Sequence, residues 1–407
     1  MNASQPKPDD TTAFLPYGRQ VIEDDDIAAV TAALQGDYLT TGPLVGKFEA
    51  ALSAAVRAEH SVVCSNGTAA LYMAAKALNL GPGTKVIVPS ITFLATASGP
   101  HLAGAEIVFA DVDPQSGLMR AEDLEQALKR CGKADAVFNV HLNGQVGAVE
   151  AIHEVARRND LKIVDDGCHA IGTAYRLGAQ ERLVGENALS DMTVFSFHPV
   201  KTVTMGEGGA VTTNDAKLAD ALRLHRNHGM TRDSGEFATT ADAFDRPGHA
   251  NPWYYELIEP GFNWRATDIQ CALGLSQLAK LTRFAARRRA LAAAYDSLLA
   301  PLAPMIRPIA HTDCVPTLHL YPVLIDFAAA GLSRAEVMVR LHNEGIGTQV
   351  HYYPVHRQRY YAERYGRQDL PGADAYYARA LSLPFFASMA ISDVVRVCEG
   401  LRRVLAL

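Results

Sequence analysis

Through the first two thirds of the chain, short β-branched runs alternate with segments whose apolar residues recur at helical spacing. HSVVCS predicts a strand, and Gly67 to Asn79 a helix. TKVIVP then precedes FLATASGPHLAG, AEIVFADV precedes RAEDLEQALKR, and DAVFNV precedes AVEAIHEVARRND; LKIVDD and MTVFSF follow. Strands apolar at nearly every position are buried on both faces, and helices between them make crossover connections. The pattern predicts an α/β fold with a mostly parallel central sheet and helices on both faces.

Near Thr267 the pattern changes. ATDIQCALGLSQLAKLTRFAARRRALAAAYDSLLAPL predicts one long helix, ended by Pro301, Pro304 and Pro308. TLHLYPVLID, a helix in SRAEVMVRLHNEG, a strand in IGTQVHYY and terminal helices then predict a smaller C-terminal α+β domain. A chain of 407 residues exceeds what one compact core usually holds. The expected division is a loose tail over 1–14, a large domain over 15–265 and a small domain over 266–407. Asp233 to Pro252 has little periodicity and predicts a long loop.

Composition narrows the function classes. Hydrophobic residues make up 48% and charged residues 20%, as in ordinary globular proteins, and the net charge of −6 gives no basic surface for nucleic acid. The six cysteines are scattered without a CxxC pair, which fits reduced thiols in a cytoplasmic protein and no metal site. No apolar run is long enough to cross a bilayer, so no membrane partner is expected.

Four stretches carry chemistry. CSNGTAAL, Cys64 to Leu71, predicts a strand, a turn and a helix start whose Gly67, Thr68 and Ala69 amides point outward. Such a tip favours an anion by roughly 0.3–1 kcal/mol when exposed and about 2 kcal/mol when partly buried. Taken alone, an ordinary N-cap accounts for it. IVDDGCHAIG ends an apolar strand on Asp165 and Asp166, which must face opposite sides of the sheet. One can point into a site while the other meets solvent or a helix tip. Lys201, in FSFHPVKTVTMGEGGAV, sits among apolar and small residues with Gly206, Gly208 and Gly209 close by. A desolvated lysine becomes a usable amine nucleophile, whereas the ordinary alternative is a packed stem with its head in water. Phe93, just past a strand end, offers a face for a flat heterocycle or a place in the core.

Together these supply an anion cradle, a carboxylate, a lysine amine and a stacking face. Those are the needs of pyridoxal 5′-phosphate (PLP), which takes a lysine Schiff base, an acid at its pyridinium nitrogen and a phosphate site. The chain also resembles the DegT/DnrJ/EryC1/StrS family of nucleotide-sugar aminotransferases, PLP enzymes of fold type I. The resemblance rests on LTTGPLVGKFE, SNGTAAL, GPGTKVIVPSITFLATA, HLNGQ, VDDGCHAIG, FSFHPVKTVTMGEGGAVTTN and GFNWRATDIQCALGLSQL.

The resemblance implies roles. Lys201 matches the Schiff-base lysine, Asp166 the acid at the pyridinium nitrogen and His169 the residue beside the phenolic oxygen. Gly67, Thr68 and Ser196 match phosphate contacts, with Ala69 beside them, and Phe93 matches the aromatic over the ring. Asn263 matches an asparagine that reaches the other subunit's phosphate, implying a homodimer with shared sites. NHGMTRD, NPWYYEL and VHYYPVH resemble the branch that makes UDP-4-amino-4,6-dideoxy-N-acetyl-β-L-altrosamine for pseudaminic acid from a 4-keto nucleotide sugar and L-glutamate. Arg232, Arg265 and the segment from His351 through Tyr352 to His356 are the candidates for the diphosphate, Arg232 otherwise being a loop surface charge; Tyr321 in HLYPV is a substrate contact or, the reading a strand favours, a packed tyrosine. Sister dehydratases carry histidine in place of the lysine, so Lys201 favours transamination. A keto sugar linked to another nucleotide, or a non-catalytic sensor on the same fold, is the alternative; intact Lys201, Asp166 and His169 argue against the sensor.

Overall fold

A computed structural model of the chain describes residues 14–238 and 241–407. The tail expected over 1–14 lies, except for Phe14, outside the described residues.

Seven strands form the central sheet: β1 (His60–Cys64), β2 (Lys85–Pro89), β3 (Glu106–Ala110), β4 (Ala136–Val140), β5 (Lys162–Asp166), β6 (Met192–Ser196) and β7 (Gly209–Thr213). They lie in the order β1-β7-β6-β5-β4-β2-β3. Only β7 runs against the rest, pairing antiparallel with both β1 and β6.

The period-two geometry of a strand sorts its side chains onto two apolar layers. Val62, Val86, Val88, Phe138, Val164 and Val194 enter a core with the helices Gly67–Ala77 and Ala95–Leu102. Ile87, Val137 and Ile163 face the helices Ala121–Cys131 and Val149–Arg158. Val63 and Phe195 meet the helix Pro43–Val56 on that same side of the alternation. Both faces are covered, which is why these strands read as continuous apolar runs.

The long helix expected after Thr267 is two helices. Thr267 caps the first, Asp268–Leu278, in a capping box with Gln270. That helix packs on the large layer: Asp268 accepts from the Gly42 and Leu44 amides at 2.7 and 2.9 Å, and Cys271 and Leu278 are buried beside Phe48. The break falls at Lys280, whose ammonium reaches Asp25 and Asp26 at 2.5 and 2.8 Å. The second helix, Leu281–Leu299, enters a separate core with Tyr321–Ile325, Ala380–Leu383 and Ile391–Leu405. The change in packing partner therefore comes at Lys280, after the first of these helices.

Two further differences matter. IGTQVHYY, expected as a strand, is an extended arm held by isolated bridges, Leu15 to Ile346 and Gln349 to Ser382. Each flank offers it only one short pairing partner, so no ladder propagates. The loop Asp233 to Pro252 contains a short turn of helix, Ser234–Glu236, and a small hairpin of Phe244–Arg246 with His249–Ala250.

Candidate active site

The C-terminal edge of the parallel strands, where open α/β sheets hold their ligands, gathers most of the expected residues. β5 ends on Asp166 and β6 on Ser196. β1 leads through Asn66 into the helix Gly67–Ala77.

Asn66 caps that helix by accepting from the Ala69 amide at 2.8 Å. Ala69, expected among the cofactor contacts, therefore commits its N–H to the cap. The Gly67 and Thr68 amides lead the helix, where the first turn has no carbonyl to receive them. A Cβ on Gly67 would stand 3.0 Å from Ser196 Cβ, 3.3 Å from its Oγ and 3.6 Å from Cys168 Sγ. Glycine thus lets the helix tip close up on the Ser196 side chain and the Cys168 thiol.

Asp166 is 6% exposed. Its Oδ2 accepts from Thr96 Oγ1 at 2.7 Å and its Oδ1 from the Cys168 amide at 3.1 Å. Thr96 in turn lies 2.8 Å from Thr92 Oγ1. Sequence reasoning missed these two threonines; their signal was a spacing of four in PSITFLATA, one helical turn. Asp165 faces the other way, as strand geometry requires. It meets neither solvent nor a helix tip: Asn139 Nδ2 donates to it at 3.2 Å and His141 Nε2 lies 3.5 Å away, and these partners hold its carboxyl below the usual range despite burial.

Lys201 follows β6 in a turn closed by its amide to His198 O at 2.9 Å. Burial lowers the pKa of its amine, and the neighbouring Cys168 and Asp166 oppose that only in part. The lysine is thus pushed toward the nucleophilic free base.

His169 is buried and held neutral, first by desolvation and then by the Lys201 charge. Its Nδ1 accepts from the Asn143 amide at 3.2 Å, so in the neutral ring the proton sits on Nε2. Nε2 lies 3.1 Å from the Tyr352 hydroxyl. Asn143, unremarked in sequence as a site residue, takes φ 63° and also binds Leu320 N through Oδ1 at 2.7 Å. It locks the loop that fixes the His169 ring. The His319 ring lies 4.5 Å from that of His169, with a buried Nδ1 lacking a partner.

Phe93 is 52% exposed, its ring 6.0 Å from that of Tyr352. His351 is buried, Nδ1 2.8 Å from Ser382 Oγ, and burial with the Lys201 charge pushes its pKa down to about 3.

Other expected residues lie elsewhere. Tyr321, a candidate substrate contact, is inside the small core: it is stacked 4.5 Å from Tyr295 and donates to Asp296 Oδ1 at 2.5 Å. Packing and that bond leave it no face for a ligand. His356, a candidate for the diphosphate, is buried against Ser90. Arg232 is exposed over Tyr255. Asn263 is exposed and bridges Asn227, and Arg265 donates to the Asn227 side chain while lining a separate cavity of about 470 Å³ with Thr41, Arg223 and Arg226. Among the described residues no hydrogen bond or ion pair joins Arg232, Asn263 or Arg265 to Lys201 or Asp166.

Residues 20–402 match the model of the DegT/DnrJ/EryC1/StrS aminotransferase family. The chain belongs to that family. It is 37% identical over 394 residues to the spore coat polysaccharide biosynthesis protein SpsC of Bacillus subtilis (strain 168), spanning 96% of this chain and 97% of SpsC. It superposes on Helicobacter pylori PseC, an aminotransferase involved in the biosynthesis of pseudoaminic acid, with a TM-score of 0.86 at 27% identity, covering 97% and 99% of the two chains. Spr1654 of Streptococcus pneumoniae, solved in a PLP-form, superposes with a TM-score of 0.83 at 26% identity over 97% and 99% of the chains. The family is PLP-dependent, and this chain is a sugar aminotransferase of its α/β fold.

The residues present fit PLP. The helix start at Gly67 and Thr68, with the Ser196 hydroxyl beside it, suits a phosphate, the anchored Asp166 carboxylate suits a protonated ring nitrogen, and the desolvated Lys201 suits an aldehyde.

Proposed function

We propose that this enzyme transfers the amino group of L-glutamate to C4 of a nucleotide-linked 4-keto-6-deoxy sugar, forming UDP-4-amino-4,6-dideoxy-N-acetyl-β-L-altrosamine. The observation that carries the transfer is Lys201, desolvated beside Asp166 and the Gly67 helix tip. The likeness to PseC over nearly the whole of both chains supports the sugar.

PLP, when bound, supplies an electron sink for the carbanion formed at the amino-bearing carbon. The chain's own residues do the rest. Gly67 and Thr68 amides and the Ser196 hydroxyl would hold the phosphate. Asp166, gripped by Thr96 and the Cys168 amide, would keep the ring nitrogen's proton in place. His169, its Nε2 proton shared with the Tyr352 hydroxyl, would stand beside the phenolic oxygen, with Phe93 over the ring. Lys201 Nζ takes a proton from the donor's α-carbon and later returns one to C4 of the sugar; positioned proton transfer of this kind is worth roughly 10²–10⁴-fold. We also infer a homodimer. Tyr38, Leu39, Trp253 and Phe262 are large apolar side chains left exposed, and Asn263 lies on that same exposed segment.

The likeness to SpsC, a spore coat polysaccharide biosynthesis protein, favours a second reading, in which the product serves another polysaccharide; the acceptor would then be a keto sugar on another nucleotide, dTDP or GDP. A panel of keto sugars offered with glutamate separates the two. The proposal expects fastest 2-oxoglutarate release with the UDP-linked 4-keto sugar; a dTDP- or GDP-linked sugar turning over faster overturns it.

A further inference from the structure

The arm from Gln349 to Arg357 runs from one core to the other and carries Tyr352 against His169. It is fastened at both ends by a histidine on a serine. At one end His351 Nδ1 lies 2.8 Å from Ser382 Oγ, on the small-domain strand Ala380–Leu383, and Gln349 exchanges backbone hydrogen bonds with the same Ser382 at 3.1 and 2.7 Å. At the other end His356 Nδ1 lies 2.5 Å from Ser90 Oγ, at the end of β2 in the central sheet, and the Val355 amide donates to Ser90 O at 2.9 Å.

The second clip is deeply buried: Ser90 is 0% and His356 3% exposed. The carboxylate of Asp374 lies 4.0 Å from His356 Nε2 and also pairs with Arg357. With the ring proton on Nε2, the side that faces this carboxylate, Nδ1 would accept from the Ser90 hydroxyl. Three residues past Ser90 stands Phe93, whose ring faces Tyr352. The same strand end that leads on to Phe93 therefore also clips, through one buried serine, the arm that brings the tyrosine hydroxyl to His169.

We propose that Ser90 and His356 are positioning residues that act through Tyr352, locking the arm to the central sheet so that its hydroxyl meets His169. The proposal rests on the reading of His169 and Lys201 as the working site. Burial makes the clip effective, because a hydrogen bond removed from solvent leaves its partner unsatisfied when one side is deleted. It also explains why His356 does not serve the diphosphate.

Amide hydrogen exchange on the apoprotein tests the clip without any substrate. Ser90→Ala, which removes one oxygen, and His356→Ala are expected to speed exchange in the peptide spanning 351–357 by at least about tenfold, which the loss of one hydrogen bond worth about 1.4 kcal/mol would give. Peptides of the central sheet keep their protection. His356→Asn, whose carboxamide reaches the Nδ1 position, is expected to restore most of it. In the holoenzyme, Ser90→Ala should lower the rate constant of the half-reaction with glutamate alone, read from a single half-turnover, while PLP affinity is unchanged. Unaltered exchange in the arm, loss of protection spread equally over the central sheet, failure of His356→Asn to recover, or an unchanged half-turnover rate each overturns the proposal. The glutamate half-reaction needs no sugar, so an error in the sugar assigned above leaves this test standing.

Discussion

Asp165 and Asp166 stand side by side in the chain and do different work, because a strand sends alternate side chains to opposite faces. Asp166 meets Thr96 and the Cys168 amide beside Lys201; Asp165 meets Asn139 and His141. The Thr96 contact gives a prediction at this scale. Thr96→Val deletes the 2.7 Å donor to Asp166 Oδ2 while keeping the shape of the side chain. Its loss leaves a buried carboxylate oxygen short of a partner and should cost about 1–3 kcal/mol in PLP binding or in turnover. Titration of apoprotein with PLP, followed by the half-reaction with glutamate, measures both. Tyr352→Phe removes the hydroxyl 3.1 Å from His169 Nε2 and should lower kcat about 10-fold or more, leaving PLP affinity within a factor of two.

At the scale of elements, the strand ends were legible because each carried a chemical group after an apolar run. Asp166, Ser196 and the Gly67 turn stand out that way in the sequence, and the structure brings them to one edge. The arm carrying Tyr352 was not legible as an arm. IGTQVHYY has the β-branched and aromatic residues of a strand, and nothing local says that its neighbours offer only single bridges. Tyr321 carried both readings in the sequence: a polar tip in an apolar strand fits a ligand contact or, more often, a packed side chain with a buried hydrogen bond, and Asp296 supplied the bond. The break at Lys280 likewise depends on Asp25 and Asp26, more than 250 positions earlier. The turn at Gly67 makes a prediction of its own. A Cβ on Gly209 would stand 2.3 Å from Asn66 O and 2.7 Å from Gly67 N. Gly209→Ala should therefore displace the helix tip, costing roughly 1–3 kcal/mol of stability and weakening PLP binding with it. Thermal unfolding of the apoprotein and PLP titration check the two together.

For the whole molecule, the buried histidines set a pH dependence. His169, His319, His351 and His356 all have pKa values lowered by burial, His351 to about 3. In the unfolded chain each would bind a proton near pH 6.5. Between that value and the lower folded one the unfolded state holds more protons, so stability rises with pH and is lost on acidification. His311, raised by Asp296, acts in the opposite sense but is a single, half-exposed group. Unfolding by urea should thus give a free energy falling from pH 6.5 toward pH 5, by up to about 1.4 kcal/mol per pH unit for each of His169, His319 and His351, the three lowered most. His351→Asn should reduce that slope by about one proton; an unchanged slope would place His351 in water. Among the described residues no helix is long and apolar enough to cross a membrane.

The proposed function turns on one amine, Lys201, desolvated in the turn after β6, as the group that captures the cofactor. Borohydride reduction of the PLP-loaded enzyme, then peptide mapping, tests it directly. The label is expected on Lys201, and Lys201→Ala should bind PLP without acquiring it. Label on any other lysine, or none on the wild-type protein, would rule out Lys201 as that group.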